Sequence, residues 1–250
     1  MNRKKYCIAN WKMNFYYYEI HDYINKWNEK NVNNDVQSII CPPFTYLSKV
    51  SKLLINNTEN CAQNIFFANS GSYTGEISPS MIKDCGCNWV MIGHSERREI
   101  FNESNEIINK KLIFSLKENL NAILCVGESK SDRIKGNTEQ VINEQLLSAF
   151  KNINLNDENA MIIAYEPVWA IGTGITADID EIKKAHEYIR NFIIKKGFKN
   201  KNISIIYGGS VTAKNADEIC KIDNVDGFLV GGASLIVDSF YEIYNKLQES

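Results

Sequence analysis

Long apolar runs are missing from this sequence, and none approaches the roughly 20 residues that span a bilayer. An excess of charge is missing too. Lys and Arg total 28 against 30 Asp and Glu, a net charge of −2, which gives no general drive toward nucleic acid or an anionic membrane. Paired cysteine motifs are absent. The seven cysteines (Cys7, Cys41, Cys61, Cys85, Cys87, Cys125 and Cys220) are odd in number and scattered, and Cys85-Gly86-Cys87 is one residue short of a CxxC. The three histidines, His21, His94 and His186, complete no zinc-finger spacing with them, so neither structural zinc nor disulfides are expected. Met1-Asn2-Arg3-Lys4-Lys5 is followed by only four largely apolar residues, too few for a signal-peptide core. Gln248-Glu249-Ser250 carries no retention or peroxisomal address. The expected compartment is therefore the reducing cytoplasm. Three triplets of the glycosylation type begin at Asn56, Asn102 and Asn202, and are discounted as chance matches in an Asn-rich chain.

The 250 residues are 44% hydrophobic and 23% charged, ample apolar material for a sizeable core. Short β-prone runs recur at Tyr6–Ala9, Val36–Cys41, Asn60–Ala62, Trp89–Ile92, Ala122–Val126, Met161–Tyr165, Ile203–Tyr207 and Gly227–Val230. Several are nearly unbroken apolar stretches, as strands buried on both faces require. Helical periods lie between them. After Asp178 and Asp180, the residues Ile182, Ala185, Ile189, Phe192 and Ile193 form one stripe, which ends at Lys195-Lys196-Gly197. Ile107, Leu112, Leu116 and Leu120 mark a second helical segment, and Val141, Gln145, Leu146 and Ala149 a third. No Pro/Gly/Ser-rich linker, internal repeat or low-complexity tail interrupts the alternation, so residues 1–250 are expected to form a single α/β domain. Eight strand–helix units of about 30 residues would use nearly the whole chain, which favours a closed barrel over an open doubly wound sheet.

Chemistry in such folds collects where strands end, and the strand ends here are polar. The first stops at Asn10-Trp11-Lys12, the fourth at Gly93-His94-Ser95-Glu96-Arg97-Arg98, the sixth at Glu166-Pro167, the seventh at Gly208-Gly209-Ser210 and the eighth at Gly231-Gly232. Pro167 holds Glu166 extended, and a carboxylate at a strand tip suits removal of a proton from carbon next to a carbonyl. Taken alone, Glu166 also reads as a capping or surface glutamate. His94 opens a turn in which a neutral imidazole beside helix N–H groups suits hydrogen bonding to a carbonyl oxygen; a packed histidine is the alternative. Lys12 suits an oxyanion, a phosphate or a Schiff base, with Glu96 or Glu99 as partner. The two glycine turns at the last strands offer backbone N–H groups to an anion. His21 and His186 lie in helical segments without such company and read as surface or packing residues. Gly172-Thr173-Gly174-Ile175-Thr176-Ala177 matches a dinucleotide fingerprint. It starts six residues past Glu166, however, and the next strand ends without an acidic residue for a ribose, so Pro167–Ala177 reads as a mobile lid instead.

Six stretches together resemble the triosephosphate isomerase family and occur in that family's order: Ala9–Asn14, Gly71–Glu76, Gly93–Arg98, Tyr165–Gly174, Tyr207–Val211 and Gly227–Leu235. The resemblance implies a single (β/α)8 TIM barrel that interconverts dihydroxyacetone phosphate and D-glyceraldehyde 3-phosphate through an enediolate, in glycolysis and gluconeogenesis, with no cofactor and no metal. It assigns catalysis to Glu166 as base, to neutral His94 as electrophile, to Lys12 and Asn10 as stabilisers of negative charge, and to Glu96 as a bridge to Lys12. It assigns substrate and phosphate contacts to Asn10, Lys12, Gly172, Ser210, Leu229, Gly231 and Gly232. It also implies a homodimer with Met13, Thr74 and Gly75 at the interface, Thr74 approaching the neighbour's site, and Tyr207 latching the lid near Ala177. The chain departs from the family pattern at Phe15, where a glycine is usual, and at Ile175, where the hinge usually carries lysine. Two rival readings stay open: a phosphate-binding Schiff-base aldolase using Lys12, and a catalytically silent binding or scaffold protein.

Overall fold

The computed structural model describes residues 3–55, 57–153, 160–171, 177–198 and 203–250. Among them, eight strands form one closed ring: β1 Lys5–Asn10, β2 Val36–Cys41, β3 Thr58–Ala62, β4 Trp89–Ile92, β5 Asn121–Val126, β6 Met161–Tyr165, β7 Ile203–Tyr207 and β8 Gly227–Val230. Each pairs in parallel with its neighbour, and β8 closes on β1 with Tyr6 opposite Gly227 and Ala9 opposite Val230. The strand boundaries follow the apolar runs in the sequence to within two residues. The helices are α1 Tyr17–Asn28, α2 Leu47–Leu53, α3 Pro79–Asp84, α4 Ser95–Glu99, α5 Asn105–Lys117, α6 Lys130–Ile134, α7 Thr138–Ala149, α8 Ile179–Lys195, α9 Ala213–Ile219 and α10 Val237–Glu249.

Side chains alternate across each strand, and the alternation divides the buried residues into two clusters. Tyr6, Ile8, Ile39, Cys41, Trp89, Met91, Ile123, Cys125, Ile162, Ala164, Ile206 and Leu229 belong to the cluster that fills the barrel. Their neighbours, among them Cys7, Ala9, Ile40, Val90, Leu124, Ile163 and Phe228, pack outward with residues of the helices. At the N-terminal end of the barrel, Tyr6 and Trp89 meet edge to face with ring centroids 5.6 Å apart. All seven cysteines are free thiols.

Asp178 caps α8 and Glu181 returns a bond to the Asp178 N–H, so the helix starts where the acidic pair places it. The stripe on α8 is buried as its period predicts, and Gly197 ends the helix with φ +75°. The buried face of α5 is rotated from its sequence expectation, whereas that of α7 keeps Gln145, Leu146 and Ala149 and differs at one position. On α5 the buried residues are Ile108, Lys111, Leu112 and Ser115, while Ile107 and Leu116 are half-exposed and Leu120 lies past the helix end. Lys111 is buried because Glu103 and Asn64 both accept its ammonium hydrogens, so apolarity does not mark this face. On α7, Ile142 is buried and Val141 is not. Among the described residues no helix is long and apolar enough to cross a membrane, and no cluster of His, Cys, Asp or Glu could hold a metal ion.

Candidate active site

The same two-residue alternation builds the site. Asn10 follows Tyr6 and Ile8 on the inner face of β1, and Glu166 follows Ile162 and Ala164 on the inner line of β6. Each strand thus ends its apolar inner row in a polar residue at the barrel mouth. There a cavity of about 410 Å³ is lined by Asn10, Lys12, Asn14, His94, Glu166, Ile171, Gly208, Gly209, Ser210, Leu229, Gly231 and Gly232, among others.

Glu166 is 2% exposed, and its carboxylate is approached from two directions. The Ser95 N–H donates to Oε2 at 3.0 Å, and His94 Nε2 lies 3.1 Å from Oε1. His94 caps α4, where the Glu96 N–H donates to its Nδ1 at 3.2 Å. A lone pair on Nδ1 leaves the ring proton on Nε2, so the hydrogen-bond pattern is that of a neutral imidazole with its N–H turned to the cavity. Two glycines make room for Glu166. A methyl on Gly208 would come within 2.9 Å of Glu166 Cγ, and one on Gly127 would run into the Glu166 carbonyl oxygen.

Lys12 occupies left-handed backbone, φ +53°, a conformation a lysine holds only when its surroundings fix it. Its N–H donates to Asn10 Oδ1 at 3.0 Å, and Gln63 donates to its carbonyl at 2.9 Å. Its ammonium meets Glu96 Oε1 at 2.6 Å; Glu96, not Glu99, is its acidic partner. Glu96 lies in an adjoining cavity of about 200 Å³, shared with Met13, Arg97 and Phe101, and does not line the larger one. Across the mouth stand Ser210, whose hydroxyl donates to the Ala170 carbonyl at 3.0 Å, and the Gly231-Gly232 turn leading into Gly232–Leu235, a short 3-10 helix.

Of the residues read from the sequence, Asn10, Lys12, His94, Glu166, Ser210, Leu229, Gly231 and Gly232 line one cavity. Gly172 and the hinge residue Ile175 lie outside the described residues, as does the rest of the 172–176 stretch of the expected lid. Met13, Thr74 and Gly75 are exposed, Met13 almost completely. Tyr207 is buried in the outer cluster, and burial pushes its hydroxyl up to about 12, opposed by the backbone of Ala177.

Sequence reasoning missed the supports behind these groups. Arg98 ties the ends of β4 and β5 together by donating to the carbonyls of Gly93 at 2.7 Å and Cys125 at 2.9 Å. Gln145 brackets Gly127 with two hydrogen bonds. Glu128 is fully buried and accepts from Tyr165 Oη at 3.1 Å and Trp169 Nε1 at 3.0 Å, fixing the chain on either side of Glu166. Gly127-Glu128 directly after an apolar run is the same punctuation that flagged the other strand ends, and it was the available signal. Burial raises the Cys125 thiol and the nearby Glu166 carboxylate raises it further, so this inward-facing cysteine adds no charge to the site.

The profile of the family described as triosephosphate isomerase matches residues 5–247 of the chain. The triosephosphate isomerase of Alkaliphilus oremlandii is 44% identical over 246 residues, covering 97% of this chain and 99% of that protein. That of Taenia solium is 43% identical over 249 residues, covering 98% and 99%. That of Thermodesulfovibrio yellowstonii is 44% identical over 235 residues, covering 93% and 95%.

Proposed function

The chain belongs to the triosephosphate isomerase family, and from that premise we infer that it is an isomerase interconverting dihydroxyacetone phosphate and D-glyceraldehyde 3-phosphate without a cofactor. One observation carries the assignment of roles: a buried carboxylate and a neutral imidazole stand 3.1 Å apart on one wall of a cavity that a lysine ammonium also lines. Glu166 takes the proton from one substrate carbon and returns it to the next. His94 Nε2, 3.1 Å from Glu166 Oε1, donates to the substrate carbonyl oxygen when substrate enters, and Lys12 and Asn10 stabilise the negative charge that develops there. This family is itself the standard worked case of a glutamate base paired with a neutral histidine electrophile. Ser210, Gly231 and Gly232 take the phosphate, with Leu229 against the carbon skeleton, and Gly172 joins them from outside the described residues. Glu96 holds the Lys12 ammonium in an ion pair. That pairing favours an electrostatic role for Lys12 over attack as a free amine.

The active form is a homodimer in the cytoplasm, folded from residues 1–250 as one domain. Support for the dimer comes from Met13 and Phe101, large apolar side chains left exposed at the cavity that holds Glu96, and from Tyr73 and Ile100, exposed elsewhere on the surface. Seven free thiols support a reducing compartment.

A coupled assay of glyceraldehyde 3-phosphate isomerisation tests the reading, with Glu166→Gln alongside. Turnover that falls at least about a hundredfold in the variant supports both reaction and base. A folded wild-type protein no more active than the variant would sink it, and trapping of a Lys12–substrate adduct by borohydride would establish the aldolase instead.

A further inference from the structure

Loop 11–15 carries two non-glycine residues with left-handed backbone, Lys12 at φ +53° and Phe15 at φ +71°. Such conformations persist only where the surroundings over-determine them. For Lys12 the reason is the site. Phe15 has no polar contact with the site, and glycine, the usual residue of the family at this position, would take the same φ without steric cost.

What Phe15 has instead is its ring. The ring lies 4.5 Å, centroid to centroid, from that of Trp11 and 5.3 Å from that of Tyr23, and Trp11 and Tyr23 themselves meet edge to face at 4.9 Å. Trp11 is fully buried and immediately precedes Lys12. The loop is closed across its base by Asn14 Nδ2, which donates to the Trp11 carbonyl at 2.6 Å, and the Phe15 carbonyl accepts from Tyr46 Oη at 3.2 Å. The two ends of a five-residue loop are therefore pinned to one aromatic nest, and Lys12 is strung between them.

We propose that Phe15 is a positioning residue for Lys12: its ring, wedged against Trp11 and Tyr23, makes the subunit itself hold the Lys12 ammonium in the anion site. The proposal rests on the isomerase reading only for the identity of the natural anion. The strained backbone at position 15 is the cost of placing a ring where a glycine would leave the loop free to move. Removing the ring releases the strain and also the wedge, so Lys12 spends less time in the geometry that meets a phosphate or a developing oxyanion.

The test compares wild type, Phe15→Gly and Phe15→Leu by isomerase kinetics and by calorimetric titration of inorganic phosphate, at two protein concentrations tenfold apart. In Phe15→Gly the KM and the phosphate Kd are expected to rise together by about tenfold, equivalent to about 1.4 kcal/mol. Its kcat is expected to fall as well, by less than kcat/KM does, because Lys12 also meets the developing oxyanion. Phe15→Leu keeps the bulk and part of the wedge, and is expected to fall between the two; it decides the matter if Phe15→Gly does not fold. An unchanged KM and Kd, or a loss of kcat with KM unchanged, would overturn the proposal, because a merely structural defect removes active protein without weakening the site. A KM effect that vanishes at the higher protein concentration would overturn it too, since it would trace to association between subunits. If wild type bound phosphate but did not isomerise, the functional reading would fail while the phosphate titrations still decided the role of Phe15.

Discussion

Gly208 has no side chain, and Glu166 uses that space. A methyl on Gly208 would press on Glu166 Cγ at 2.9 Å, and the carboxylate beyond it would leave its bond to Ser95 and its place beside His94. A displacement of about 1 Å at a reacting group can cost about a hundredfold in rate. Gly208→Ala is therefore expected to lower kcat/KM by about that factor while circular dichroism stays that of wild type. Activity within threefold of wild type would mean that Glu166 has slack the geometry does not reveal. At this scale the sequence was most informative about residues that interrupt an apolar run, such as Asn10, His94 and Glu166. It was silent about Arg98 and Gln145, which act on carbonyls and amides of strand ends brought near only by the closed ring.

Helix α8 shows what periodicity captures and what it hides. Its apolar stripe, acidic start and glycine stop were all legible, but His186, which sequence alone left between surface and packing, is fully buried. It shares a buried face with Ile182 and Ile189, stacks edge to face with Tyr165 at 5.9 Å, and its Nδ1 lies 2.9 Å from the Asn224 carbonyl. Burial, aided by Arg190, lowers its pKa from 6.5 to about 4, against the pull of the Asn224 carbonyl. A group whose folded pKa is depressed binds its proton more readily in the unfolded chain, so it favours unfolding as pH falls below 6.5, with the effect complete below about 4. From pH 7 to pH 5 the loss amounts to about 2 kcal/mol. Chemical denaturation at the two pH values, at fixed protein concentration, is expected to show a difference larger by about that amount in wild type than in His186→Gln. Equal differences would place the acid sensitivity elsewhere. Helix α5 was less legible because its buried face includes Lys111, whose partners Asn64 and Glu103 lie outside the helix, and Ser115, which bonds back to the Leu112 carbonyl.

At the scale of the whole molecule, Met13, Thr74 and Gly75 are all exposed, and Met13 lines the cavity that holds Glu96, Arg97 and Phe101. A homodimer in which the 71–76 loop of one subunit enters that cavity of the other covers these residues. Light scattering is expected to give twice the mass of one chain, and Thr74→Arg, a bulky charge at the loop tip, should shift the distribution toward the single chain with a parallel loss of specific activity. A monomeric wild type with full activity would sink the proposed assembly. The closed eight-stranded ring itself was foreshadowed by the count and spacing of the apolar runs. The inference came from that count and from the resemblance, since no local pattern marks β8 as the neighbour of β1.

That closure has a consequence on the ribosome. The free edge of β1 finds its second partner only when residues 227–230 have been made, after almost the entire chain. At 5–20 residues per second, the nascent protein carries an open strand edge for roughly 10 to 45 s, a window in which edge-to-edge pairing with another chain competes with completion of the ring.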